Sequence, residues 1–350
     1  MTLKVGFLGA GLIAGYHAWQ LHTATETPFE VVAVYDPDPE RPARLATGEG
    51  ALAASRPEEV VEAADAVFVC TWTSKHLPMV RLAVDAGCAV FCEKPLGTDL
   101  ATATAVVEAV ESAGVTNMVG LVMRTAPTLL VLRELIGDPA AGAVMNVVFR
   151  DDQYIPVQGM YASTWRGDRS LAGSGALLEH SIHDLDLLEW LVGDAVSVSA
   201  VTAGFHGIAG IEDSVSALLS FDGGHSATLT SVWHDVLARS SQRRMEVFCE
   251  RAVFTLDSDD VGPVRWHRDG TVPGEVDEGG VEGEGLAPWL TARGVDLTSA
   301  EEQFLRAVAT GAPSPSPTVR DALRAHVLAD AVYRSAAAGG APVDVSRAAP

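Results

Sequence analysis

The stretch that decides the fold is Leu3-Lys4-Val5-Gly6-Phe7-Leu8-Gly9-Ala10-Gly11-Leu12-Ile13-Ala14. A short apolar run enters a glycine turn, and the turn opens onto a helical pattern. Gly9 allows the tight turn, and Gly11 lets backbone N–H groups approach a pyrophosphate at the helix start. Ala14 is small enough for helix and sheet to pack closely. Gly9, Gly11, Leu12 and Ile13 are therefore the candidate pyrophosphate residues. Asp36 ends the next apolar run 25 residues after Gly11, where a carboxylate can take both hydroxyls of an adenosine ribose. It would repel a 2′-phosphate, and Pro37 beside it offers no cation to hold one, so NAD is expected rather than NADP. The apolar span Val5 to Ala18 accordingly reads as strand, turn and helix rather than as a leader.

Outward from this turn, short apolar runs alternate with helical patterns as far as Leu121. Lys4–Leu8, Glu30–Tyr35, Ala66–Thr71, Ala89–Cys92 and Asn117–Leu121 read as strands; Leu12–Ala24, Pro57–Ala64, His76–Ala86 and Asp99–Ala113 read as crossover helices. Apolar strands separated by helices form a parallel sheet covered on both faces. After Pro127 the pattern changes. Ala143–Tyr154, Ser197–His206, Ser214–Phe221, Ser226–His234, Met245–Cys249 and Val253–Leu256 read as longer, mostly antiparallel strands, with a hairpin at Asp222-Gly223-Gly224. A helix over Ser174–Leu191 interrupts them, and two more lie near Ser299–Thr310 and Thr318–Ala337. The segment Asp269 to Gly285 holds six acids, six glycines and no base, a composition that reads as a mobile loop. The expected fold class is α/β. A Rossmann dinucleotide-binding domain covers residues 1–122, and an α+β domain with a mostly antiparallel open sheet covers 123–350. That second domain, with the C-terminal helices, is where substrate binding and oligomerisation are expected. Alternating Val and Leu positions around Ser214–Phe221 are expected to form an outer face covered by a second copy, giving a homodimer or homotetramer.

Composition narrows the function classes. A chain of 350 residues with 48% hydrophobic and 20% charged residues excludes intrinsic disorder. The formal charge of −22 makes nucleic acid and anionic membrane poor partners. Cys70, Cys88, Cys92 and Cys249 show no C-x-x-C pairing and read as buried thiols of a cytoplasmic protein.

Two groups of residues carry chemistry. Only Lys4, Lys75 and Lys94 among the 24 cationic residues are lysines. Lys94 stands at the carboxyl end of an apolar strand, within Cys92-Glu93-Lys94-Pro95-Leu96-Gly97, where a compact ammonium suits a reacting oxygen. The second group is Gly173-Ser174-Gly175-Ala176-Leu177-Leu178-Glu179-His180-Ser181-Ile182-His183-Asp184-Leu185-Asp186. On a continuous helix Glu179 and His183 share one face, with Asp186 further along it, so that a carboxylate orients an imidazole base. His180 and His183 without a third histidine or a cysteine nearby fall short of a metal site, and none is expected.

These residues together resemble the Gfo/Idh/MocA family of NAD(P)-dependent oxidoreductases over nearly the whole chain. The resemblance rests on the glycine loop, Thr71-Trp72-Thr73-Ser74-Lys75-His76, Glu93-Lys94-Pro95, Gly120 through Arg124 to Pro127, Trp165-Arg166, and the glycine-rich entry to Glu179 and His183. It implies catalytic roles for Lys94 and His183, with Glu179 in support, and a cis peptide between Lys94 and Pro95. It places Thr71, Trp72, His76, Glu93, Trp165 and Arg166 near the cofactor, and Met123, Arg124 and Asp186 near a small polyol or sugar-like substrate. The family usually has aspartate where Glu179 stands, and inositol dehydrogenases tend to have arginine where Met123 stands, which points to a less polar pocket. The implied reaction is hydride transfer between NAD and a carbinol carbon. Whether Lys94 or His183 carries the proton stays open, and NAD-dependent glycoside hydrolysis and a nucleotide sensor without turnover are the rival classes.

Overall fold

The structure is a computed structural model that describes residues 2–270 and 275–345. The first part of the chain alternates β1 (Leu3–Leu8), α1 (Leu12–Ala24), β2 (Phe29–Tyr35), α2 (Glu40–Glu49), β3 (Leu52–Ala53), α3 (Pro57–Ala63), β4 (Ala66–Val69), α4 (His76–Asp85), β5 (Ala89–Cys92), α5 (Leu100–Ala113) and β6 (Asn117–Val119). The six strands form one parallel sheet in the order β3-β2-β1-β4-β5-β6. This is the Rossmann arrangement expected from the sequence. The order reverses between β1 and β4, so a crevice opens at their carboxyl ends. Helices cover both faces, and β4 and β5 are accordingly buried along their whole length. The core is a stack of rings: Phe68 lies 5.2 Å from Phe7 and 4.8 Å from Phe91, and Phe304 meets Phe68 and Phe91 edge-on. Sequence patterning missed α2 and β3. Only Pro42 and Ala46 of α2 are buried, too thin a stripe to produce a helical period.

The chain continues through α6 (Pro127–Gly137), β7 (Val144–Tyr154), α7 (Arg169–Ala172), α8 (Ala176–Glu179), α9 (Ile182–Val192), β8 (Ala195–Ala203), β9 (Ser214–Phe221), β10 (Ser226–His234), β11 (Gln242–Cys249), β12 (Ala252–Leu256), β13 (Val264–Asp269), β14 (Val276–Val281), α10 (Leu286–Thr291), α11 (Ala300–Thr310), α12 (Val319–Ala337) and β15 (Val343–Asp344). Among the described residues nine strands make the second sheet, ordered β14-β13-β12-β11-β7-β10-β9-β8-β15, with β7–β10 the one parallel pair. Two expectations need correction. The acidic segment Asp269 to Gly285 is not simply a loop, because β14 pairs with β13 along it; a side chain at Gly279 would overlap the Trp266 indole, so its glycines let the backbone lie against that ring. Part of the segment, 271–274, falls outside the described residues. In β9, Val215, Ala217, Leu219 and Phe221 turn inward, and of its large apolar residues only Leu218 is exposed.

Two compact units result. The first comprises Met1–Val122, Asp168–Gly173 and Thr298–His326, and the second Met123–Gly167, Ser174–Leu297 and Val327–Pro350. The C-terminal helices, placed with the second half on sequence, are thus divided: α11 and the start of α12 belong to the first unit.

Phe68→Ala empties the centre of the ring stack and is expected to cost about 3–5 kcal/mol in urea unfolding with an unchanged slope; a loss under about 1 kcal/mol would contradict this account of the core.

Candidate functional site

The turn after β1 is shaped by close approach. Gly9 has φ +100°, and a side chain there would overlap the carbonyl of Cys70 beyond β4, so only glycine lets the turn lie so close. The Gly9 N–H donates to the Tyr35 carbonyl at 2.7 Å, and the Ala10 N–H donates to the Asp36 carboxylate at 2.9 Å. Gly11 begins α1 with no side-chain cap and faces open space. Leu12 and Ile13 follow it with 70% and 38% exposure. The first N–H groups of a helix have no partners within it and favour an anion. Asp36 accepts one backbone N–H on each oxygen, from Ala10 and from Asp38 at 3.0 Å, which leaves each a further lone pair for a ribose hydroxyl. Beyond β4, the buried Thr71 hydroxyl has no hydrogen-bond partner among the described residues, and Trp72 next to it is half-buried. An uncapped helix start, spare carboxylate lone pairs and an orphaned hydroxyl fit a dinucleotide.

Glu93-Lys94-Pro95-Leu96 leaves β5 at the same edge of the sheet. The Lys94–Pro95 peptide is cis, as the resemblance implies. From Cys88 to Gly97 every residue except Lys94 is buried. The Glu93 carboxylate, expected near the cofactor, is instead turned into the interior. It accepts a hydrogen bond from His17 Nε2 at 2.9 Å and one from the Lys94 N–H at 3.1 Å, in space that a side chain at Gly120 would take. His17 donates its other N–H to Glu301 of α11 at 2.7 Å. Burial opposes charge on His17, but the hydrogen bonds to Glu301 and Glu93 outweigh it and raise its pKa to about 9. His76 is buried as well, its ring nitrogens 2.8 Å from the Pro95 carbonyl and 3.1 Å from that of Thr71. His326 of α12 accepts the Leu96 N–H at 3.0 Å, and burial lowers its pKa to about 4.

In the second unit the expected single helix over Ser174–Leu191 is broken between Glu179 and Ile182. His180 lies 2.9 Å from the Asp151 carboxylate and the Ser181 hydroxyl donates to it at 2.9 Å, while Ser181 and Ser231 share a hydrogen bond of 2.6 Å. These bonds hold the chain out of helical register. Glu179 and His183 therefore do not share the single helical face expected from their spacing; they stand on successive helices. Glu179 is buried and accepts from Arg166 Nε at 3.2 Å, and the Arg166 guanidinium lies over the Trp165 ring. Arg124, next to Met123, makes a two-pronged pair with Asp186 at 2.6 and 2.9 Å. Asp186 is three residues beyond His183 on α9, and both are buried.

Sequence reasoning missed the charge cluster beside this break. Arg243, on the inward face of β11, donates to Asp184 at 2.7 Å and Asp259 at 2.9 Å, with Asp151 at 3.5 Å. Burial first, and then the neighbouring Asp151, raise the Asp184 pKa to about 7. A charged residue at an inward position of an alternating strand was the available signal. Glu212 was also missed; it accepts from the N–H groups of Gly175 and Leu177 and so fixes the start of α8.

Comparison with known proteins bears on this geometry. Residues 3–121 match a model described as an oxidoreductase family with an NAD-binding Rossmann fold, and residues 129–255 match the GFO/IDH/MocA C-terminal domain. The inositol 2-dehydrogenase of Rhizobium meliloti (strain 1021) is 30% identical over 349 residues, covering 96% of this chain and 98% of that one. The 1,5-anhydro-D-fructose reductase of Ensifer adhaerens is 34% identical over 233 residues, covering 63% and 66%. Among solved structures, a levoglucosan dehydrogenase complexed with NADH superposes with a TM-score of 0.83 at 21% identity over 99% of both chains. The glycine turn and the paired folds are those of an NAD-binding oxidoreductase. The chain belongs to the Gfo/Idh/MocA family.

If Asp36 sets the cofactor, Asp36→Ser combined with Pro37→Arg removes a repulsion and adds a phosphate partner. The NADPH-to-NADH affinity ratio, read by fluorescence titration, is expected to rise about tenfold or more, the worth of one charge-assisted hydrogen bond. A parent that already prefers NADPH would refute the assignment.

Proposed function

We propose that this protein catalyses reversible hydride transfer between NAD and a carbinol carbon of a polyol, sugar or related cyclic alcohol. The observation that carries the reading is Lys94, the one partly exposed residue of a buried turn at the sheet edge that also bears the glycine loop. The names of the relatives, an inositol dehydrogenase and an anhydrofructose reductase, support the substrate class. NAD, when bound, accepts or returns the hydride. In the oxidative direction His183 takes the hydroxyl proton and Lys94 stabilises the developing alkoxide, while the supporting role of Glu179, which is bonded to Arg166, rests on the family resemblance and not on a helical face shared with His183. Thr71 and Trp72 of the first unit and Trp165 and Arg166 of the second are the residues that would hold the cofactor, and Met123, Arg124 and Asp186 those that would meet the substrate. The Arg124–Asp186 pair limits how freely either charge can serve a substrate hydroxyl, and Met123 favours a ligand with an apolar edge.

The same reading includes a homo-oligomer in the cytoplasm. Met145, Val148, Val201 and Leu218 expose apolar surface on the second sheet, which a second copy would cover. The four cysteines are free and buried, which suits a reducing compartment. Among the described residues no helix is long and apolar enough to cross a membrane.

A screen of cyclic polyols, anhydrosugars and sugars for NADH formation tests the reaction; a hydrolase with only transient redox, or a sensor, would accumulate none. On a substrate so found, Lys94→Met and His183→Ala are each expected to lower kcat by about 10²–10⁴ with little change in NADH affinity, and the double variant to be little worse than either. Glu179→Gln should cost less and mainly move the pH profile. Near-parental turnover in either single variant would sink the mechanism.

A further inference from the structure

Three buried histidines of the first unit remain without a part in the reaction, and all three bond to the same four-residue turn. His17 reaches Glu93, His76 reaches Pro95 and His326 reaches Leu96. We propose that His17, His76 and His326 are the positioning residues of Lys94, gripping the residues on either side of it so that Lys94 leaves a turn that cannot shift. The proposal rests on the reading of Lys94 given above.

The three grips differ chemically, and each suits its target. His17 acts as a double donor. The titratable groups around it are Glu93 after β5, Glu301 on α11, Tyr16 on α1, Cys70 after β4 and Cys92 on β5; the rings of Phe68 and Phe91 pack at 5.6 and 5.0 Å. Two carboxylates around one imidazolium leave one negative charge, and Lys94, electrostatically coupled to Glu93, balances it. The second Glu93 oxygen then holds the Lys94 N–H. His326 is the reverse case. It accepts a backbone N–H, so its Nε2 must be unprotonated, and burial keeps it neutral with Asp99 opposing and His76 adding to the effect. His76 lies between the carbonyls of Thr71 and Pro95 and so couples the ends of β4 and β5.

Fold stability alone does not account for this. Burying imidazoles carries a desolvation cost that apolar side chains of similar size avoid. Two of the bonds come from distant chain, with Glu301 284 residues from His17 and His326 230 from Leu96. The return of α11 and α12 to the first unit is what delivers both groups to the turn.

The test uses the full chain. Amide hydrogen exchange at Lys94 and Leu96 is followed by NMR without cofactor in the parent, His17→Leu, His326→Leu and His326→Gln. His326→Leu is expected to speed exchange of the Leu96 amide that the imidazole accepts, and His17→Leu that of the Lys94 amide held by the Glu93 carboxylate that His17 fixes, each by about tenfold, the worth of a hydrogen bond, and each to lower kcat per NADH-binding site by a similar factor. His326→Gln retains an acceptor and should recover most of both. The pKa of His17 is higher folded than unfolded, so its stabilisation is full below about 6.5 and is lost as pH rises through about 9; the urea-midpoint gap between parent and His17→Leu should close over that range. If His17→Leu does not fold, Glu301→Gln replaces it, with faster Lys94 exchange and the alkaline limb of kcat moved to lower pH expected. Folded variants with parental exchange and parental kcat per site overturn the proposal. Parental turnover in Lys94→Met overturns the reading of Lys94 itself, and the exchange rates tell the two failures apart.

Discussion

A carboxylate buried at the end of a parallel strand has to be compensated where it lies, and Glu93 imposes that condition on the first unit. The backbone next to it must be Gly120, since any side chain would occupy the carboxylate's space. The helix behind the glycine turn must carry a donor at His17, and a second carboxylate, Glu301, must come back from far along the chain to hold the imidazole charged. An uncompensated buried carboxylate would cost several kcal/mol or take up a proton. Compensated, it ties α1, β5 and α11 into one piece below the turn that bears Lys94. The ring stack of Phe7, Phe68, Phe91 and Phe304 supplies the burial that makes these hydrogen bonds strong.

What the sequence could reveal of this was governed by the range of the forces involved. The parallel sheet, the glycine turn and Asp36 depend on local backbone chemistry, and they were readable from a dozen residues around Gly9 and the end of β2. Lys94 was readable for a related reason, a rare residue type at a strand end. His17, Glu301 and His326 were not, because nothing local marks an imidazole whose partners are 76 to 284 residues away. The resemblance places Glu93 near the cofactor through its place in Glu93-Lys94-Pro95, whereas the inward turn of its side chain depends on His17.

The second unit failed in a different way. Leu178, Leu185, Leu188 and Leu191 fit one helical period, so the sequence read through His180 and Ser181 without a pause. The break comes from side-chain bonds to Asp151 and Ser231, and the buried guanidinium of Arg243 holds Asp151 and Asp184 close together despite their like charge. Such a network competes with helical hydrogen bonding only once the sheet has placed β7, β10 and β11 beside the helix. Periodicity therefore implies a continuous face for Glu179 and His183, and tertiary structure replaces it with two helices separated by a break at which His180 and Ser181 bond to Asp151.

The choice of lysine at position 94 follows from the same constraint. This chain carries arginine at 21 of its 24 basic positions, so general preference does not explain it. A guanidinium presents five N–H groups in a rigid plane, and those that face the buried part of the turn must find partners there. The residues flanking position 94 offer few, because the Glu93 carboxylate is committed to His17 and the Lys94 amide, and the Pro95 carbonyl lies against His76. An ammonium on a flexible stem needs fewer partners and can follow a single reacting oxygen as its charge develops. The histidine grips and the lysine are thus complementary: the turn supplies the rigidity, and the ammonium concentrates its charge at one atom where a guanidinium would spread it over a plane.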